Sequence, residues 1–340
     1  MQRRDFLKKT LWSAGVAVLG DSLSQAAHAA EAAPSVPVDQ TANTNAPRLV
    51  RRPYGKTGLQ LSIIGFGGLT LKNTEQKFAN RLVAQAFEKG VNYFDVAPTY
   101  GNAEERLGPA LEPYRKDVFL ACKTTQRTRQ AAADELQASL KKLRTDHVEL
   151  YQLHAITDVE KDVDAVFAKG GAMETFIEAK KTGQIRYLGF SAHSTAAALA
   201  ALDRYDFDSV LFPISFPTFY AGNFGPKVVA HAQQKGAARL ALKMLARQKW
   251  PADAPDRKKY PNCWYQPVTD PQEALLAMRF TLSQPVTAAV PPAHPDIFLK
   301  ALDLALQFEP LTDQQQAQLK KLATTLNPVF KNKKEVKTTV

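Results

Sequence analysis

The chain has 340 residues, 45% hydrophobic and 23% charged, with a formal charge of +11 and two cysteines. This is an ordinary globular make-up, long enough for one barrel-sized domain, and two thiols far apart exclude a disulfide-stapled scaffold. Lys and Arg are mostly scattered singly, the densest basic run (Lys331-Asn332-Lys333-Lys334) lies at the C-terminus, and no groove-reading motif accompanies the charge, so nucleic acid is not an expected partner.

The first 29 residues carry targeting features. Arg3-Arg4-Asp5-Phe6-Leu7-Lys8 is a twin-arginine pattern, followed by an apolar run from Leu11 to Gly20 and the small-residue site Ala27-His28-Ala29. The run is too short to span a bilayer, and no stable membrane span is expected. An amphipathic N-terminal helix is the weaker alternative. The pattern resembles bacterial Tat signals, which implies the Tat export machinery as a partner and a folded, exported, periplasmic protein. Residues 30–47, rich in Ala, Pro, Ser, Thr and Asn without periodicity, read as a flexible linker. A barrel domain is expected over 48–330 and a basic tail over 331–340.

The domain begins with a hairpin around Gly55–Gly58. Short apolar strands then alternate with helical patterns. Strands are expected at Ile63–Gly67, Asn92–Asp95, Val118–Lys123, His147–Leu153, Tyr187–Ser191, Ser209–Ile214, Arg239–Lys243 and Thr287–Val290. Helices are expected at Glu75–Lys89, Ala103–Leu111, Arg129–Leu143, Gly171–Lys181, Ser194–Asp203, Pro226–Lys235, Pro271–Ser283 and Pro295–Gln307. Glycines at positions 90 and 183 act as stop signals. Eight such units argue for an α/β fold, a (β/α)8 TIM barrel with an N-terminal hairpin and an extra C-terminal helix, Thr312–Leu326, capped by Thr312. Gly65-Phe66-Gly67-Gly68 does not match the glycine fingerprint of a doubly wound dinucleotide fold. The connection Trp250–Thr269 is too long for an ordinary loop and leaves the seventh strand on the loop-bearing face, so it is expected to form a lid or substrate wall.

If each strand ends at that face, Asp95 ends the second strand and Tyr100 lies in its loop, while Lys123 and His154 end the third and fourth. A lysine beside a phenol favours the phenolate and is expected to lower its pKa from about 10. An aspartate paired with the lysine keeps it charged and fixed. A neutral histidine can hydrogen-bond a carbonyl oxygen and stabilise its developing charge. Together these groups form a general acid that protonates a carbonyl oxygen while another group delivers hydride. Each residue alone has an ordinary explanation: a loop anchor, a packed aromatic, a snorkelling lysine, a core histidine. Their coincidence at corresponding ends of three consecutive strands is what argues for chemistry. No Cys/His cluster suggests a metal. Of the two cysteines, Cys122 is expected to be buried, and both to be free.

From about residue 52 to 307 the sequence resembles the aldo-keto reductase family. The likeness is carried by Asn92-Tyr93-Phe94-Asp95-Val96-Ala97-Pro98-Thr99-Tyr100-Gly101, Cys122-Lys123-Thr124, Leu150-Tyr151-Gln152-Leu153-His154 and Gly183-Gln184-Ile185-Arg186-Tyr187-Leu188-Gly189-Phe190-Ser191. The resemblance implies a barrel that binds extended NADP(H), or less often NAD(H). It implies Asp95, Tyr100, Lys123 and His154 as a catalytic tetrad with Tyr100 as the acid, Ser191 as the holder of the nicotinamide carboxamide, and the backbone near Gly68 beside the cofactor. On the cofactor side the sequence departs from the family. Ala192 replaces an Asn, Val210–Pro213 lacks a Gln, Lys243–Gln248 lacks a Pro/Gly-rich loop, and Val290–His294 lacks basic residues. Lys243, Arg247 and His294 are the candidates to meet the phosphates instead. The function implied is reduction of an aldehyde, ketone or sugar-like carbonyl, a small-molecule substrate. The alternative is an exported, non-catalytic small-ligand-binding protein on the same barrel.

Overall fold

The chain enters the described region through an antiparallel hairpin, β1 (Arg51–Pro53) with β2 (Gln60–Ser62), turned through Gly55 and Gly58, both at positive φ. The structure is a computed structural model that describes residues 48–332; the expected signal peptide, the linker and the tail beyond residue 332 lie outside the described residues.

Strands and helices then alternate. After β3 (Phe66–Gly67) come α1 (Gln76–Glu88), β4 (Tyr93–Asp95), α2 (Ala103–Leu111), β5 (Phe119–Thr124), α3 (Arg129–Leu143) and β6 (Val148–Ile156). The single turn α4 (Ala165–Phe167) precedes α5 (Ala172–Lys181), β7 (Ile185–Ala192), α6 (Thr195–Arg204), β8 (Ser209–Pro213), α7 (Phe216–Tyr220), α8 (Pro226–Lys235) and β9 (Ala238–Leu242). A second hairpin, β10 (Ala246–Gln248) with β11 (Gln266–Pro267), leads to α9 (Pro271–Ser283), β12 (Ala288–Val290), α10 (Pro295–Ala305) and α11 (Asp313–Ala323).

Eight of the strands, β3 to β9 and β12, pair in parallel in chain order. The last returns to the first through a parallel bridge between Ile64 and Ala289, with Gly65 N–H donating to the Ala289 carbonyl at 3.0 Å. The result is a near-closed (β/α)8 barrel, as the sequence implied. All eight expected strands are present, and helix bounds differ from expectation by a few residues at most. The sequence missed α4, α7 and the hairpin whose strands bracket most of the long connection, because none has a clear period of polar and apolar residues.

Strand alternation divides the core. Tyr93, Phe119, Ala121, Leu150, Leu211 and Ala288 belong to an inner cluster, whereas Phe94, Leu120, Tyr151 and Phe212 belong to the layer shared with the helices. The first hairpin contributes Tyr54 and Leu61 to the inner cluster, and the Tyr54 hydroxyl donates to Ser209 Oγ at 2.9 Å, so this end of the barrel is plugged. Gly65 is required where strands crowd: a β-carbon there would lie 2.4 Å from the Tyr93 ring. The alternation that buries Tyr93, Phe119 and Leu150 inside the barrel also directs Asp95, Lys123 and His154 inward at the other end. α11 begins with the expected Thr312 cap, reinforced by a capping box with Gln315. Among the described residues no helix is long and apolar enough to cross a membrane. Both cysteines are free and both are buried, so Cys263, in the long connection, joins Cys122 in this respect.

Candidate active site

Asp95 closes β4 and is 2% exposed. One of its carboxylate oxygens is ion-paired with Lys123 Nζ; the other accepts from Tyr93 OH at 3.1 Å and Gln152 Nε2 at 3.0 Å. Lys123, fully buried at the end of β5, also donates to the Val96 carbonyl at 3.0 Å. Its ammonium lies 5.2 Å from the centre of the Tyr100 ring. Tyr100 is carried by a tight loop in which its own N–H donates to the Ala97 carbonyl and Gly101 takes a φ of 63°. Burial acts to lower the Lys123 pKa, but Asp95 and the Tyr100 phenol outweigh it, and the lysine is raised above its ordinary range. The expected fall in the Tyr100 pKa is corrected: burial raises it, and the opposing pull of Lys123 only partly offsets that. The phenol therefore holds its proton at neutral pH.

A strand irregularity sits beside His154. The β6–β7 register shifts between Leu153 and Ile156, and Ala155 sits at φ 54°, a left-handed conformation that is uncommon outside glycine. The Ala155 N–H displaced from the ladder donates to Ser191 Oγ at 2.8 Å, and Arg127 secures the His154 carbonyl at 2.9 Å. The imidazole meets the Tyr100 ring edge-on, with centroids 5.8 Å apart. Burial first, then the cations Lys123, Arg127 and Lys243 together with His193, push the His154 pKa down to about 2, so the ring is neutral.

Lys243 follows β9 with φ 63°, and it is 9% exposed. Its ammonium packs against the rings of Trp264, Tyr265 and Phe330 at 5.3, 5.8 and 5.5 Å. Burial lowers its pKa to about 8. His193, two residues beyond Ser191, stacks on Phe330 at 5.2 Å; burial and then Lys243 depress it to about 3. Phe330 lies in the segment after α11, which is tied down by hydrogen bonds from Asn332 to Gly222 and Asn223 and from Thr195 to Asn332.

A cavity of about 310 Å³ joins these groups. Asp95, Tyr100, Lys123, His154, Ser191 and Lys243 all line it. Gly68 does not: a β-carbon there would lie 2.8 Å from the Val96 side chain, and its neighbour Gly67 lines the cavity instead. The long connection adds Asn262, Trp264 and Tyr265, so it forms part of the wall as expected. Arg247 is not available to a ligand in the same way as Lys243, because it is ion-paired with Glu273 at 2.8 Å, and His294 lies outside the lining. Sequence reasoning missed Gln152, His193 and Tyr93. The two-residue strand period places Gln152 and His193 on the same faces as His154 and Ser191, and that signal was there to use. A more open hollow of about 560 Å³ lies at the opposite end of the barrel, where Arg52 and Arg239 are engaged by backbone carbonyls; it contains none of these groups.

The model of the Aldo/keto reductase family matches residues 63–250, from the first barrel strand to just past β10. The chain belongs to this family. As an aldo-keto reductase it is similar to an uncharacterized oxidoreductase, YqkF, of Bacillus subtilis, at 33% identity over 42% of this chain and 48% of the relative. It is also similar to the aldo-keto reductase YhdN of the same organism, at 30% identity over 41% of this chain and 45% of the relative. The chain thus spans about half the length of the curated relatives it matches. A solved aldo-keto reductase of Bacillus halodurans superimposes with a TM-score of 0.65 at 24% identity, covering 82% of this chain and 98% of that one, and supports the barrel fold.

Proposed function

We propose that this aldo-keto reductase reduces an aldehyde, ketone or sugar-like carbonyl with hydride from a nicotinamide cofactor, NADP(H) or in second place NAD(H), with Tyr100 as the general acid. The observation that carries the proposal is Lys123, locked between Asp95 and the Val96 carbonyl under the Tyr100 ring, in a cavity shared with a neutral His154. The cofactor, when bound, supplies the hydride. The residues around it fit its chemistry. Ser191 Oγ accepts the Ala155 N–H and keeps its own hydrogen for an amide oxygen.

The chain's own steps follow from its electrostatics. His154 has no charge to lose and orients a carbonyl oxygen by donating a hydrogen bond. Tyr100 holds its proton until charge develops on that oxygen, then transfers it. Lys123 stabilises the phenolate left behind, while Asp95 holds the ammonium in place and in its charged form. Proton donation of this type contributes roughly 10²–10⁴ in rate. Trp264 and Tyr265 give the cavity an aromatic wall on the side of the long connection. We place the protein in the periplasm, exported folded by the Tat machinery with its cofactor already bound, on the strength of the N-terminal pattern.

The test is direct: quenching of intrinsic fluorescence by NADPH and NADH, followed by nucleotide oxidation with a panel of aldehydes, ketones and aldoses. Saturable NADPH binding with turnover of at least one carbonyl class is expected. No binding of either nucleotide at millimolar concentration would overturn the proposal in favour of a small-ligand-binding protein.

A further inference from the structure

Among the described residues that line the cavity, the cations are not equivalent. Lys123 is neutralised by Asp95, whereas Lys243 has no ion pair to a carboxylate among the described residues and lies against three aromatic rings. A buried ammonium in such surroundings is costly and attracts an anion strongly. Beside it, His193 Nε2 is buried without a hydrogen-bond partner and also lines the cavity. Burial keeps that ring neutral, so in the Nε2–H tautomer it offers one donor and no competing charge. Trp264, Tyr265 and Phe330 surround the ammonium, and Lys243, Trp264 and Tyr265 line the same cavity as Tyr100 and His154. Lys243 is near enough to contribute to the depressed pKa values of both histidines. The cavity, at about 310 Å³, is at the lower end of the range for small-molecule sites, roughly 300–1,000 Å³, and matches a small ligand reaching from one end to the other.

We propose that Lys243 and His193 form an oxyanion-binding subsite for the substrate, so that the substrate is an anionic carbonyl compound whose carboxylate or phosphate sits under Trp264 while its carbonyl faces Tyr100. The proposal rests on the reductase reading for its carbonyl end and adds the chemical class at the other end. Lys243 supplies the charge and His193 a directional hydrogen bond. The aromatic roof, with Trp264 56% exposed at its edge, excludes water from one side of the pair and favours a planar or ring-bearing body next to the anion.

The experiment uses 4-formylbenzoate and its methyl ester, which share an aldehyde and a ring but differ in charge at the end opposite the carbonyl. Dissociation constants are measured for the wild-type protein, Lys243→Met and Lys243→Arg by calorimetry in the presence of NADP⁺, with NADPH affinity measured in parallel. The expected result is a preference of tenfold or more for the acid over the ester in the wild type, lost in Lys243→Met and largely retained in Lys243→Arg, with NADPH affinity changed by less than threefold. The subsite is overturned if the wild type shows no preference for the acid. It is equally overturned if the preference survives in Lys243→Met, since the anion is then held at the Tyr100 end. A tenfold loss of NADPH affinity in Lys243→Met with an unchanged preference for the acid would also overturn it, by assigning the oxyanion to the cofactor. NADPH-dependent reduction of the neutral ester by the wild type reports on the reductase reading separately, so the two can fail independently.

Discussion

Lys123 and Lys243 are both buried lysines in the wall of one cavity, on strands that lie across the barrel from each other, yet their surroundings are opposite. Lys123 is enclosed by a carboxylate, a carbonyl and a phenol, and its pKa is raised; Lys243 is enclosed by three rings, and its pKa falls to about 8. The first is a closed electrostatic unit whose charge is fixed for use on Tyr100. The second is an open one, stabilised only in part by ring faces, which contribute about 0.5–2 kcal/mol per cation. The difference teaches that burial alone does not decide what a lysine does: the partner set does. A neutralised lysine tunes a neighbour, and an unneutralised one recruits a ligand.

The largest stability effect is expected from breaking the closed unit. Lys123→Met leaves the Asp95 carboxylate buried without its cation, with only Tyr93 and Gln152 donating to it, and should destabilise the fold by about 3–5 kcal/mol in urea unfolding. The open unit should respond in the opposite direction. Lys243→Met removes an uncompensated buried charge and should stabilise the ligand-free protein by about 2–3 kcal/mol at pH 7. The pH dependence has a definite sign. Lys243 titrates near 8 when folded and near 10.5 when unfolded, so between these values the unfolded chain holds the extra proton and wild-type stability rises with pH. The advantage of Lys243→Met is therefore full below pH 8 and fades toward pH 10.5. Equal destabilisation by the two substitutions would dissolve the comparison. The smallest effect sharpens it: Tyr93→Phe removes one donor to Asp95 but leaves the ion pair, and should cost about 1–2 kcal/mol, measurable in the same unfolding series.

Much of the barrel was legible in the sequence because its signals are local and periodic. Short apolar strands such as Val118–Lys123 and glycine stops such as Gly90 and Gly183 depend on nearby residues alone. The end-of-strand rule then brought Asp95, Tyr100, Lys123 and His154 to one mouth, and the structure places all four on one cavity. What escaped depends on long-range packing. The β10–β11 hairpin is defined by its pairing across a loop of ambiguous composition. The roof over Lys243 joins Trp264 to Phe330, which are distant in sequence. The bulge at Ala155, beside His154, is a register shift between two strands, invisible in either strand alone. The sign of the Tyr100 shift was misjudged for a related reason: the neighbouring cation could be read from the motif, but the burial that outweighs it could not.

The central claim is that Tyr100 donates the proton within the Asp95–Lys123–His154 frame. Its most direct test is Tyr100→Phe, assayed for NADPH-dependent carbonyl reduction alongside NADPH affinity. The account predicts a loss of kcat of about 10²-fold or more with cofactor affinity changed by less than threefold. A Tyr100→Phe protein that reduces carbonyls at the wild-type rate would contradict it.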